Sequence, residues 1–364
     1  MSDVNGRFSN KKFLLMAGGT GGHVFPALAV ARALMNEGAQ VEWLGTRRGI
    51  EAQLIPEAGI ELHFITVEGV RGKGKLALLK APLQIARAVS QARAVIKRVA
   101  PDAVLGFGGF ATGPGGVAAR ISGIPLIIHE QNAVPGTTNR LLARIANRVL
   151  EAFPSGLPGG EQVGNPVRDE IAALPAPEQR IGKVQPLRLL VLGGSLGAVA
   201  INELVPQALS LLPVALRPQV IHQAGKRHLD IARKSYQQAG VEAEVVPFIA
   251  DMAAAYGAAD LIICRAGALT VSEIAAAGVG AIMVPFPFAI DDHQTKNGEW
   301  LQRAGGAVVL QQDTLNAEEL AQLLEGLFAK PLKLLAMAKA ARGVAKIDAT
   351  QRVLEACGEL IAAQ

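Results

Sequence analysis

The chain has 364 residues, 50% hydrophobic and 18% charged, with 40 Gly, 20 Pro and 4% aromatic. That is enough for about two globular domains, and it excludes disordered, collagen-like and coiled-coil classes. The formal +5 sums unlike parts, 18 Lys+Arg against 9 Asp+Glu in residues 1–150 and 18 against 22 in the remainder, so the first half is expected to meet an anionic partner.

Cys264 and Cys357 are too few for a disulfide framework or a four-ligand zinc site, and predict a reducing compartment. The opening MSDVNGRFSNKK lacks the apolar stretch of a signal peptide, and the uncharged run 274–290, 17 residues long, is interrupted by Gly278, Gly280, Pro285 and Pro287. No membrane span is expected. Few aromatics and no reader motif argue against nucleic acid as a partner.

Short β-rich runs alternate with longer Ala/Leu segments of helical period, the pattern of a parallel sheet with crossover helices. Strand 13–17 runs into Gly18-Gly19-Thr20-Gly21-Gly22-His23, with a helix predicted over 26–37 and a strand over 41–44. The glycine run lets backbone amides approach an anion at a helix start. It is neither a G-x-G-x-x-G fingerprint, because Val24 takes the last place, nor a P-loop. A plain tight turn is the alternative, and recurrence weakens it: strand 189–192 runs into Gly193-Gly194-Ser195-Leu196-Gly197.

Between these, residues 69–101 carry eight basic side chains and no acid. Lys73, Lys75, Leu76, Leu79 and Lys80 form an amphipathic head expected to rest on anionic lipid, while the body of the segment reads equally as a solvated helix. Strand 103–105 leads to a loop from Gly106 to Gly116 with six glycines in eleven residues. Strand 126–129 ends in His129-Glu130-Gln131-Asn132, each either a site residue or a satisfied core polar group. Six prolines between 154 and 186 mark a linker, which divides the chain into domains 1–168 and 169–347. A terminal helix is expected from Asp348 to Leu360, with a cap signal between Asp348 and Gln351.

Further strands are predicted at 219–222, Leu261–Cys264 and 281–284. After Cys264, the helix start Ala268-Leu269-Thr270-Val271-Ser272-Glu273 offers amides and a hydroxyl to a phosphate, and Glu273 can accept two ribose hydroxyls or simply complement the helix. Asp291 and Asp292 are adjacent, so their side chains diverge and make no obvious metal pair. No obligatory metal and no cofactor are expected. The fold class is α/β, two doubly wound domains whose strand ends would face each other across a cleft.

GGTGGHVFPALAVA, the GxGGFATGPGG loop, HEQNAVPGTTNR, VGNPVR, GGSLGA, CRAGALTVSEIAAAG and PFPFAIDDHQTKN follow one another across almost the whole chain. Together they resemble the MurG family of bacterial peptidoglycan glycosyltransferases. The resemblance implies a GT-B fold and inverting transfer of N-acetylglucosamine from UDP-N-acetylglucosamine to undecaprenyl-diphospho-N-acetylmuramoyl-pentapeptide. It further implies a peripheral position on the cytoplasmic face of the inner membrane, against anionic lipid, and a C-terminal helix, within 348–364, that crosses back to complete the first domain. Carried onto this sequence, donor contacts fall on Thr20, Gly21, Gly22, Asn132, Arg168, Ser195, Ile249, Ala268 to Glu273 and Gln294. In that pattern Ile249 borders uracil, Glu273 takes the ribose and Gln294 reaches the sugar. Departures stand at Leu196, at Ala266 for a common serine and at Gly298 for an alanine.

Such a transfer needs a base for the acceptor hydroxyl and groups that stabilise the leaving diphosphate. His23 is the first candidate base because imidazole titrates near neutrality, and Glu130 is the second; alternatively His23 fixes its loop. Competing functions are another GT-B UDP-sugar enzyme, such as a UDP-N-acetylglucosamine 2-epimerase, and a non-catalytic nucleotide-binding membrane module.

Overall fold

Two all-parallel sheets organise the chain in the computed structural model, which describes residues 6–67, 75–194 and 197–363, with backbone alone over 75–80. Ser195 and Lys73 lie outside the described residues, as do the side chains of Lys75, Leu76, Leu79 and Lys80. One unit comprises Met1–Val167 with Ile347–Gln364, and the other Arg168–Lys346. Arg168 therefore belongs with the second unit.

The first unit's strands are β1 Lys12–Ala17, β2 Gln40–Gly45, β3 Glu61–Phe64, β4 Ala103–Gly108, β5 Leu126–Glu130, β6 Arg148–Glu151 and β7 Gly160–Gln162. Their spatial order is β3-β2-β1-β4-β5-β6-β7. After Lys12 the central strand β1 is unbroken apolar sequence, not an alternation, because helices cover both sheet faces and Phe13 to Ala17 are fully buried. The C-terminal helix Ala349–Ala362 packs on helix Gly21–Asn36 and places Val353, Leu354 and Cys357 in one core with Phe13 and Trp43.

The second unit has β8 Arg188–Leu192, β9 Gln219–Gln223, β10 Glu244–Val246, β11 Leu261–Cys264, β12 Gly280–Met283 and β13 Ala307–Val309. Their order, β10-β9-β8-β11-β12-β13, repeats that of the first six strands of the other sheet. Both are the 3-2-1-4-5-6 arrangement of dinucleotide-binding folds. The repeated strand and glycine turn thus occupy equivalent central positions, β1 and β8.

Three expectations need correction. The first helix begins at Gly21, not at residue 26, because the glycines form its opening turn and Pro26 sits inside it. Strands β3, β6, β7, β10 and β13 were not foreseen; each is short and lies at or next to a sheet edge, away from the fully buried centre that makes an apolar run. The terminal helix has no side-chain cap; the Asp348 carboxylate accepts from Arg352 Nε at 2.7 Å.

Candidate active site

In the first unit the chain leaves β1 at Ala17 and turns through Gly18-Gly19-Thr20 into helix Gly21–Asn36. The first N–H groups to bond back are those of His23 and Val24, both to the Thr20 carbonyl at 3.2 Å. The amides of Gly21 and Gly22 accordingly point off the helix end, where a helix accommodates anions. Gly19, at φ +89°, donates its amide to Glu51 Oε2 at 2.9 Å. Glu51 is fully buried and also takes the Thr46 amide and hydroxyl. This carboxylate clamps the loop from below, and a Cβ at Gly18 would lie 2.5 Å from its oxygen. No motif pointed to Glu51, since its partners lie on other segments.

A second glycine pair closes the same surface. Gly108 and Gly109 have φ of +102° and +87°. A Cβ on Gly109 would stand 2.4 Å from the Gly18 carbonyl oxygen, and one on Gly108 would stand 2.8 Å from His23 Nδ1. Only glycine lets the two loops meet here.

His23 Nδ1 lies 2.8 Å from Gln131 Oε1, and its Nε2 has no hydrogen-bond partner among the described residues. Behind Gln131 stands His129, fully buried, whose pKa burial pushes down to about 4. Glu130 corrects the expectation of a second base. Its carboxylate is 2% exposed and accepts four hydrogen bonds, from the Asn132 amide and side chain, the Gly136 amide and Asn139 Nδ2. With its lone pairs occupied and no path to solvent, it organises the loop that carries Asn132.

The second unit places its polar groups after β11. Helix Ala268–Ala277 starts from Gly267 without a side-chain cap, and its first internal bond is Val271 N–H to the Gly267 carbonyl at 2.9 Å. Amides of Ala268, Leu269 and Thr270 therefore head the helix, with the Thr270 side chain partly exposed beside them. Val271 departs from its expected role: its side chain is fully buried and its amide engaged, so it packs. The Ser272 hydroxyl donates to the Ala268 carbonyl at 2.9 Å.

Glu273, one turn further, is 4% exposed. Arg168 donates to its Oε1 from Nε and Nη2, and the Tyr256 hydroxyl donates to its Oε2 at 3.1 Å. Burial raises the Glu273 pKa, and Arg168 and Tyr256 pull it back. The carboxylate is therefore no mere helix-end charge. Tyr256 and its partnership were not foreseen, because Tyr256 lies on helix Met252–Ala258. Ile249 has its amide tied to Gln223 Oε1 at 2.9 Å, and Gln294 accepts from the Phe286 amide at 3.0 Å, leaving its NH₂ group. The departures Ala266 and Gly298 are neighbours: a Cβ on Gly298 would lie 3.3 Å from that of Ala266 and 2.9 Å from Val309 Cγ2. The smaller residue at 298 fits the tight contact between helix His293–Arg303 and β13.

No helix among the described residues is long and apolar enough to cross a membrane. Helix Lys75–Val99 packs on Thr112–Ile121, which packs on Thr137–Leu142. These three expose Leu83, Ile85, Ile121 and Leu141, the first at 77%, with Arg120, Arg140 and Arg144 exposed nearby in sequence. One three-residue grouping of possible metal ligands occurs among the described residues, Glu42, Glu61 and His63. There the Arg98 guanidinium donates to His63 Nδ1 at 2.7 Å, so a cation already serves this cluster.

Comparison with known proteins places these features in a family. Residues 13–151 match the glycosyltransferase family 28 N-terminal domain, and residues 188–353 match its C-terminal domain. A protein of Ectopseudomonas mendocina named UDP-N-acetylglucosamine--N-acetylmuramyl-(pentapeptide) pyrophosphoryl-undecaprenol N-acetylglucosamine transferase is 56% identical, over 96% of this chain and 98% of its own length. A protein of the same name from Marinobacter nauticus is 55% identical over 96% of this chain and 97% of its own. The crystal structure of Acinetobacter baumannii MurG superposes with a TM-score of 0.84 at 44% identity, covering 97% of this chain and all of that one. Two parallel-sheet units, two glycine turns at equivalent strands and full-length identity of this order show that the chain belongs to glycosyltransferase family 28, among the MurG transferases.

Proposed function

We propose that this protein transfers N-acetylglucosamine from UDP-N-acetylglucosamine to the 4-hydroxyl of the muramoyl sugar of undecaprenyl-diphospho-N-acetylmuramoyl-pentapeptide, with inversion. The observation that carries this reading is the full-length identity with transferases of that name; the geometry supplies a chemistry for it. In the second unit, the open amides of Ala268 to Thr270 receive the donor's diphosphate, and Glu273 accepts from the ribose diol once Arg168 or Tyr256 yields a lone pair. Asn132, Ser195, Ile249 and Gln294 complete the donor contacts in this reading. In the first unit, the free amides of Gly21 and Gly22 offer a second anion site beside His23. The acceptor oxygen attacks the anomeric carbon, the bond to the diphosphate oxygen breaks with its electron pair, and the hydroxyl proton passes to His23 Nε2. In this reading the helix-start amides stabilise the leaving charge, so turnover should survive exhaustive chelation.

The exposed apolar and basic residues of helices Lys75–Val99, Thr112–Ile121 and Thr137–Leu142 support docking on anionic lipid at the cytoplasmic face, where the acceptor's polyprenyl chain is held. The test is UDP release. It should require a lipid-linked muramoyl acceptor, whereas a 2-epimerase would turn over the donor alone and a binding module would release nothing.

A further inference from the structure

The geometry points to Gln131 as the residue that positions His23 for proton transfer, by fixing which imidazole nitrogen carries the hydrogen. This rests on the reading of His23 as the base and adds the device that prepares it. Two carbonyl oxygens, which can only accept, settle every hydrogen in the chain of contacts. His129 Nε2 lies 2.9 Å from the Gly164 carbonyl, so it must carry a hydrogen. Burial keeps the His129 ring neutral down to a pH of about 4, which leaves its Nδ1 a lone pair. Gln131 Nε2 lies 3.1 Å from that Nδ1 and 3.1 Å from the His129 carbonyl oxygen. An amide oxygen there would face another carbonyl oxygen, so the NH₂ group must occupy the position and Oε1 must point the other way. Oε1 meets His23 Nδ1 at 2.8 Å, and a carbonyl-type oxygen requires Nδ1–H.

Neutral His23 then holds its lone pair on Nε2, the ring nitrogen without a partner among the described residues. The relay is rigid. Gln131 is 1% exposed, His129 stacks on Phe107 with ring centroids 5.3 Å apart, and Gly108 leaves no side chain against His23 Nδ1. A neutral amide relay also leaves proton acceptance to His23 alone, since neither Gln131 nor His129 takes up a proton near neutrality.

The test is nitrogen-15 spectroscopy of the full-length protein labelled at histidine, with His23→Gln identifying the His23 signals, alongside pH–rate profiles. The parent should show His23 as the Nδ1–H tautomer. Gln131→Met keeps the length but removes the acceptor: the Nδ1–H tautomer should be lost and kcat should fall by about tenfold or more, with the KM for UDP-N-acetylglucosamine within a few-fold. Gln131→Glu restores an acceptor, so Nδ1–H should persist while the acidic limb moves to higher pH, because a carboxylate favours the imidazolium. Retention of Nδ1–H in Gln131→Met, or a loss of kcat matched by equal losses in donor KM and thermal stability, would overturn the assignment. If the methionine variant does not fold, a parental acidic limb in Gln131→Glu overturns it. A His23→Ala enzyme that keeps the acidic limb removes the base reading alone, and the nitrogen spectrum still decides the tautomer.

Discussion

Arg168 grips Glu273 from two nitrogens, Nε at 3.1 Å and Nη2 at 2.7 Å, across 105 residues of sequence. Arg168 is the first residue of the second unit and is half exposed, whereas Glu273 is almost wholly buried. The pair favours the ionised carboxylate against the burial that raises its pKa.

Donor binding should therefore depend on pH through Glu273. Its carboxyl titrates above the ordinary range because burial opposes charge, and only the carboxylate accepts two hydroxyl hydrogens. Calorimetric affinity for UDP should decline as pH falls, starting at a higher pH than a free glutamate would give. Glu273→Ala should weaken UDP by ~1.5 to 3 kcal/mol, the scale of a hydrogen bond to a charged group, and leave acceptor KM nearly unchanged. Arg168→Ala should shift the acidic decline upward. Equal losses for both substrates in Glu273→Ala would refute the ribose role.

His23→Ala should lower kcat by ~10² to 10⁴-fold, the range for general acid–base catalysis. The donor dissociation constant should stay within a few-fold and the acidic limb of the pH–rate profile should vanish. A residue that merely fixed its loop would instead weaken donor binding and stability and keep the pH dependence.

Membrane binding is checked by flotation with anionic vesicles. Replacing Lys73, Lys75 and Lys80 with Glu should weaken binding by ~1 kcal/mol for each basic residue near the surface. Ile121→Ser with Leu141→Ser, both more than half exposed in the native chain, should weaken it independently of salt. Turnover of a short-chain soluble acceptor should hardly change in either set.

Acid stability follows from two buried histidines. His129 and His222 both have pKa values lowered to about 4 by burial. An unfolded histidine takes up its proton near 6.5, so between pH 6.5 and 4 the unfolded chain binds more protons and stability falls with pH. Each should cost about 3 kcal/mol by pH 4. Thermal unfolding across this range should show the decline, and His222→Gln should reduce it; a flat profile would contradict the burial of these rings.

Much of this protein was legible in its sequence because the signals were local. An apolar run into a glycine turn, seen at both 13–22 and 189–197, requires only neighbours in the chain, and β1 and β8 indeed occupy equivalent central places. The helix starting at Ala268 was readable for the same reason. The motifs resembling MurG transferases fixed the family, and with it the expected chemistry.

Tertiary structure decided which polar groups are spent and which remain. Glu130 looked like a candidate base, but strand β5 delivers it into a loop whose amides and Asn139 consume its lone pairs. Glu51 and Tyr256 carried no motif and Gln131 no assigned role, and all three became significant only when parallel strand order brought Gly19, His23 and Glu273 beside them. Periodicity and glycine turns express the conformational preferences of adjacent residues, whereas the state of a buried acid or imidazole depends on donors and acceptors from remote segments, which the sheet order alone assembles.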